Sequence, residues 1–189
     1  MNFSFTNTRS TAISLIVVLI CLLAPMEPGT SFAQTASPPT AATAPSNATR
    51  AFEKMQSLFG SWRGTVMGGS TDVTIRFASS RTAILHEATT TAAGAAPDHE
   101  ITMFYLDGDR LFATHFCDAG NRSRMEGRLS PDGKTIEFSF LDVSGGTQKG
   151  YLKGLVIAVN DADHHSAELT FVLPNGNPIQ ARGEFQRLK

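Results

Sequence analysis

From residue 60 onward the chain keeps repeating one pattern: short runs of alternating apolar and polar residues, each closed by a cluster of Gly, Pro, Asn and Asp. Successive side chains of an extended strand point to opposite faces, so a period of two marks a half-buried strand. Val73, Ile75 and Phe77 alternate with Asp72, Thr74 and Arg76. Ile101, Met103 and Tyr105 run into Asp107-Gly108-Asp109, a hairpin turn signal. Leu111, Ala113, His115 and Cys117 share one face of the next strand, and Ser123, Met125, Gly127 and Leu129 then oppose Arg122, Arg124, Glu126 and Arg128. Ile136, Phe138 and Phe140 follow the turn at Pro131-Asp132-Gly133. Leu155, Ile157 and Val159 precede Asn160 to Asp163, Leu169, Phe171 and Leu173 precede Pro174 to Asn177, and Ile179, Ala181 and Phe185 close the chain. About ten strands joined by tight turns leave no room for the crossovers that parallel pairing needs. A long antiparallel sheet hides its edges by curling shut. The expected fold is all-β: an up-and-down antiparallel barrel, with a two-sheet sandwich as the alternative. One short helix precedes it, where Phe52, Met55, Leu58 and Phe59 recur at helical spacing over residues 49–59 and Gly60 stops the run.

The first 48 residues read differently. Residues 1–33 have the layout of a secretory signal: Arg9, an apolar core from Leu15 to Ala24, and small residues around Ser31-Phe32-Ala33, with cleavage expected before Gln34. The apolar run is shorter than the ~20 residues that span a bilayer, so no stable membrane anchor is expected. Cys21 follows Ile20, which is too bulky for a lipoprotein signal. Residues 34–48 are Ala, Pro, Thr and Ser without charge, the composition of a disordered spacer. Asn47-Ala48-Thr49 matches a glycosylation sequon. Residues 49–189 are then one domain of an exported protein, periplasmic or secreted. Net charge is -1 with no basic block, which excludes general electrostatic binding to nucleic acid. Cys117 is alone after cleavage, so no disulfide staples the domain.

Two groups of residues carry a resemblance. Gly60-Ser61-Trp62 opens the first strand just after the helix, and Arg187 lies on the last strand. This resembles the Gly-x-Trp signature of lipocalins and related calycins, in which the Trp closes one end of the barrel and stacks with a late Arg. Leu106 to Leu111, Thr114-His115-Phe116-Cys117, Gly120-Asn121 and Arg124-Met125 are similar to a family of exported bacterial lipocalin-like proteins of undefined activity. That family shows Thr-His-Tyr-Cys and then Gly-Asn-Gln-Pro-Arg-Met here. Phe116 stands in place of the Tyr, and Arg122-Ser123 in place of Gln-Pro. A later His-Met-His group of the family corresponds to Tyr151-Leu152-Lys153, which has no imidazole. The resemblance implies the barrel, with Trp62 and Arg187 in structural roles. Some lipocalin-like barrels hold heme through a His near the mouth, and His115 or His86 is the residue available for that.

Several residues invite chemistry. His115 and Cys117 lie two apart on one strand face, and an imidazole beside a thiolate suits zinc or copper. His86, in a strand over residues 82–91, is the third candidate, whereas His99 falls in a loop and His164 and His165 in a turn. The pair is poorly spaced for a nucleophile and base, because residues two apart on a strand are about 6.6 Å apart along the chain. With no catalytic motif in the sequence, catalysis is the lesser expectation and no cofactor is assigned. Arg122, Arg124 and Arg128 form a basic strip that reads as a solvated outer face, or as a docking strip for an envelope partner if the barrel is filled. The main expectation is a binding module. Met103, Tyr105, His115, Met125, Phe138, Phe140 and Phe171 would line a lumen holding a small hydrophobic or amphipathic molecule, with His115 and Tyr105 as polar contacts. Gly127, Gly154 and Gly183 would leave room for it.

Overall fold

The computed structural model describes residues 44–189. The expected signal segment and most of the expected spacer lie outside the described residues. Helix α1 covers Asn47–Gln56, and ten strands follow: β1 Gly60–Val66, β2 Gly69–Ala78, β3 Ala83–Thr91, β4 Asp98–Asp107, β5 Arg110–Phe116, β6 Arg122–Leu129, β7 Thr135–Ser144, β8 Tyr151–Val159, β9 His164–Val172 and β10 Pro178–Arg187. Each strand pairs antiparallel with its sequence neighbours, and β1 pairs with β10, so the sheet closes into a barrel. The alternation seen in the sequence becomes alternating burial, clearest in β2 and β6. Closure leaves no strand edge without a partner.

Three elements start elsewhere than the sequence suggests, one of them β4, whose start at Asp98 puts His99 in a strand and not in a loop. Helix α1 begins at Asn47 because Ser46 caps it, its hydroxyl accepting from the Thr49 N–H at 3.1 Å. Asn47 belongs to the fold: its Nδ2 donates to the Leu129 carbonyl at 2.9 Å, and its Oδ1 accepts from the Leu129 N–H at 2.9 Å. The sequon asparagine therefore has both side-chain groups engaged. Strand β9 begins at His164, so His165 lies in the barrel wall and not in a turn. A hairpin turn of Asn, Asp and Ala hides this, since its tight return brings the Asn160 N–H back to the His164 carbonyl.

The barrel has a filled end and an open end. At the filled end α1 packs on β4, β5 and β6. Phe52 and Met55 there join Phe104, Leu111, Met125, Ile136 and Phe138 in one core. Gly127 and Gly183 do not leave voids. A Cβ at Gly127 would come 2.5 Å from the Phe138 ring, and one at Gly183 would come 2.7 Å from both Phe185 and Val66. The absent side chains are what lets the phenylalanines lie flat across the lumen. Of these three glycines Gly154 alone is uncrowded, with its nearest neighbours at an ordinary contact distance of 3.7 Å. Trp62 seals this end. It is fully buried, donates from Nε1 to the Leu58 carbonyl at 2.7 Å, and carries Arg187 on its face at 4.0 Å.

Candidate functional site

The open end contains the polar residues that the core cannot explain. Register places His86 of β3 opposite Thr102 of β4, Thr102 opposite His115 of β5, and His115 opposite Ser123 of β6. Directly opposed residues share a face, so these four form one rung around the inner wall. The rung toward the filled end is apolar, running Ile84, Phe104, Ala113, Met125 and Phe140. Toward the open end stand Glu100 and, just past the end of β5, Cys117.

Two cavities that share wall residues meet at this level. An inner cavity of about 80 Å³ is walled largely by apolar residues, including Val73, Ile75, Leu155 and Phe185, with Thr71, His86, Thr90, Glu100, Thr102, His115 and His165 as its polar groups. A mouth of about 430 Å³ lies outside it, between Val66, Leu169, Phe171 and Ile179 on the apolar side and Asp98, Glu100, Cys117 and Lys149 on the polar side. Val66, Thr90, Glu100 and Leu169 border both and form the constriction between them.

His115 is the centre of the arrangement. Its side chain is 4% exposed, its Nδ1 lies 3.0 Å from the Thr102 hydroxyl, and its Nε2 has no hydrogen-bond partner. Glu100 Oε1 lies 3.5 Å from Nε2. Cys117 Sγ reaches the same oxygen at 3.5 Å. Burial works to raise the Glu100 pKa, but His115, the Cys117 thiol and the charge on His86 together outweigh it and hold the carboxyl below its ordinary value. Burial, followed by the neighbouring carboxylate charges of Glu100 and Asp98, pushes the Cys117 thiol up to about 11. Burial also pulls His86 down to about 4, with the charge of His115 adding to it. His165 falls to about 4 as well, by burial and then by the charges of His86 and Arg187. Its ring stacks on Phe185 at 4.8 Å and meets Trp62 edge-on at 4.3 Å.

The expected lining is redistributed. His115 does line the inner cavity, and Phe171 lines the mouth. Met125 and Phe138 point inward but are fully buried in the filled end and border neither cavity. Phe140 is half-buried beside Tyr151, with ring centroids 5.6 Å apart. Met103 and Tyr105 are a correction: β4 turns Glu100, Thr102 and Phe104 inward, so both residues face outward, and Tyr105 stacks on Phe112 at 5.8 Å. A strand has two faces, and choosing the wrong one moves every side chain on it. Of the metal candidates, His115 and Cys117 come together with Glu100, which the sequence reading did not select, while His86 stands one strand further along the rung. Of the arginine strip, Arg124 is ion-paired with Asp142, Arg122 donates to the neutral Ser144 hydroxyl at 3.2 Å, and Arg128 stands opposite Glu137 in register. Asn121 is a missed residue of another kind. Buried behind the mouth, it donates to the Gly150 carbonyl at 2.7 Å and ties the β5–β6 turn to the start of β8.

Fold and site together define a closed ten-stranded antiparallel barrel of the lipocalin-like kind, with a polar rung inside and a cavity at one end. No protein-family model matches the chain, and no curated protein matches it. Among solved structures it is similar to the crystal structure of Rv2717c from M. tuberculosis, with a TM-score of 0.59 and 16% identity over 74% of this chain and 98% of that one. A redesigned β-barrel aligns with a TM-score of 0.42 and 10% identity over 76% of this chain and 97% of its own. A de novo designed fluorescence-activating β-barrel aligns with a TM-score of 0.35 and 12% identity over 71% and 96%. The likeness to Rv2717c is one of fold.

Proposed function

We propose that this is an exported binding protein, periplasmic or secreted, whose barrel takes up one small amphipathic molecule. The observation that carries the reading is His115 Nε2, a buried polar atom without a partner at the point where an apolar-walled cavity opens. A buried polar atom left unsatisfied costs about 1–3 kcal/mol, and a ligand polar group at the Glu100–His115 level would relieve it. The apolar part of the ligand would lie against Val66, Leu169, Phe171 and Ile179 in the mouth, whose size falls within the usual range of ligand pockets. A porphyrin would need the inner cavity and mouth to merge across the Val66, Thr90, Glu100 and Leu169 constriction, so a compact ligand suits these walls better. Arg124 is already paired with Asp142, which removes one cation from the strip that the alternative of an envelope-docking barrel would use.

The test compares native and denaturing mass spectra of protein purified gently from an exporting host. An extra mass that leaves on denaturation is expected, and Leu169→Trp, which fills the constriction, should abolish it while circular dichroism stays unchanged. An adduct that survives Leu169→Trp, or none at all even after incubation with medium-chain fatty acids and alcohols, would sink the reading.

A further inference from the structure

We propose that Glu100, His115 and Cys117 form a Zn²⁺ site at the junction of mouth and inner cavity, with a fourth coordination position open to the lumen. The site goes beyond the binding role; it draws on the same His115 Nε2, but its test uses metal alone, so either reading can fail without the other. Its three donor atoms lie within 4.8 Å of one another. Glu100 Oε1 is 3.5 Å from both His115 Nε2 and Cys117 Sγ. Donors around a tetrahedral zinc, with bonds of about 2.0–2.3 Å, stand about 3.3–3.8 Å apart. Two of the three separations already have that value, and the third is short enough to close by a turn of the Cys117 side chain.

The surroundings prepare each donor. Thr102 faces His115 Nδ1 at 3.0 Å. When its hydroxyl oxygen accepts the Nδ1 proton, the ring tautomer is set and the Nε2 lone pair is left aimed at Glu100. Metal-bound histidines are held this way by a second hydrogen bond. In that tautomer a cation between Nε2 and the carboxylate oxygen would bond to both. Nε2 is the buried atom that otherwise has no partner. Cys117 sits on a turn closed by the Gly120 N–H to the Cys117 carbonyl at 2.9 Å, and the Ala119 N–H points at its sulfur. That N–H would support a thiolate. On binding, the thiol gives up its proton to solvent as the zinc–sulfur bond forms, so one proton leaves per ion from this group.

The donor set selects the ion. Hard cations such as Mg²⁺ and Ca²⁺ would leave the sulfur unused, and Cu⁺ would leave the carboxylate unused. Zinc accepts oxygen, nitrogen and sulfur together, and with three protein ligands it retains an exchangeable position. That position would face the inner cavity walls.

The test titrates Zn²⁺ alone into the metal-free full-length protein, with Co²⁺ as the spectroscopic probe. One equivalent per chain is expected. Co²⁺ should give the strong visible bands of a tetrahedral site and a sulfur-to-cobalt charge-transfer band in the near ultraviolet. Cys117→Ser, which keeps the shape of the side chain, should abolish that band and weaken Zn²⁺ about 100-fold or more. Thr102→Val should weaken it about 10- to 100-fold through the loss of tautomer control. A pale six-coordinate Co²⁺ spectrum without charge transfer would overturn the proposal. So would Zn²⁺ affinity unchanged in Cys117→Ser, which would place the ion on a surface group such as His164 and Asp161.

Discussion

Arg187 lies flat on Trp62, its guanidinium carbon 4.0 Å from the indole centroid, and the two residues stand directly opposite each other across the β1–β10 seam. The same guanidinium donates to the carbonyls of Ala162 at 2.8 Å, Ser57 at 2.9 Å and Phe59. It therefore ties the helix-to-strand turn, the β8–β9 turn and the closing seam to one side chain. Arg187→Ala should cost about 2–4 kcal/mol, the sum of a cation–π contact and charge-assisted bonds to carbonyls that are partly shielded from water. Arg187→Lys should recover less than half of that, because a single ammonium cannot reach three diverging carbonyls. Chemical denaturation of the two variants measures both values.

Stability should fall as pH drops from 6.5 toward 4. His86 and His165 each have a folded pKa of about 4 against an ordinary value of 6.5. Between these values the unfolded chain binds protons that the folded chain refuses, so acid favours unfolding. The stabilisation is fully present above pH 6.5 and is lost progressively below it. For His165, which is 3% exposed, the shift corresponds to about 3 kcal/mol at most. His165→Phe keeps a ring between Trp62 and Phe185 and should flatten the dependence of Tm on pH over this window. An equal slope in the variant would show that His165 titrates freely in the folded barrel.

Gly127 and Gly154 should respond oppositely to alanine. At Gly127 the new methyl meets the Phe138 ring at 2.5 Å and Leu111 at 2.9 Å, inside a closed core. Overpacking of this kind costs about 1–3 kcal/mol. At Gly154 nothing comes closer than 3.7 Å, so alanine there should be neutral or slightly stabilising. Thermal melts of the two variants side by side decide the matter.

Phe138→Ala should unfold the protein more readily and should not act through the ligand. Phe138 is 1% exposed and borders neither cavity, packing at 5.1 Å behind Phe104 of the inner wall. Removing a buried Phe costs about 3–5 kcal/mol. A variant of normal stability with weakened binding would move the ligand to the filled end of the barrel.

The metal-free Cys117 thiol should alkylate slowly at neutral pH. Its pKa of about 11 leaves little thiolate to react. Iodoacetamide labelling followed by mass spectrometry should show a rate well below that of free cysteine, rising steeply as the pH is raised and on denaturation.

Much of this protein was legible in its sequence because the information is local. The period of two in β2, β5 and β6, and the Gly, Pro, Asn and Asp clusters between them, dictate short antiparallel strands whatever else the chain does. The short helix followed from helical spacing stopped by Gly60, whereas the pairing of Trp62 with Arg187 was what the resemblance to Gly-x-Trp barrels implied. The facing of β4 did not. Met103 and Tyr105 are as apolar as Thr102 and Phe104, so alternation exists on both faces, and only pairing with β3 and β5 selects the inner one. His165 was hidden because its strand starts inside what reads as a turn. Glu100 was hidden because nothing in its own neighbourhood marks it. It meets His115 and Cys117 only when β4 folds back on β5, and a carboxylate, an imidazole and a thiol then share one corner of the lumen. Strand identity is set by contacts between near neighbours, which the sequence carries directly. The inner wall of a closed barrel is set by register summed around ten strands, and that sum exists only once the barrel has closed.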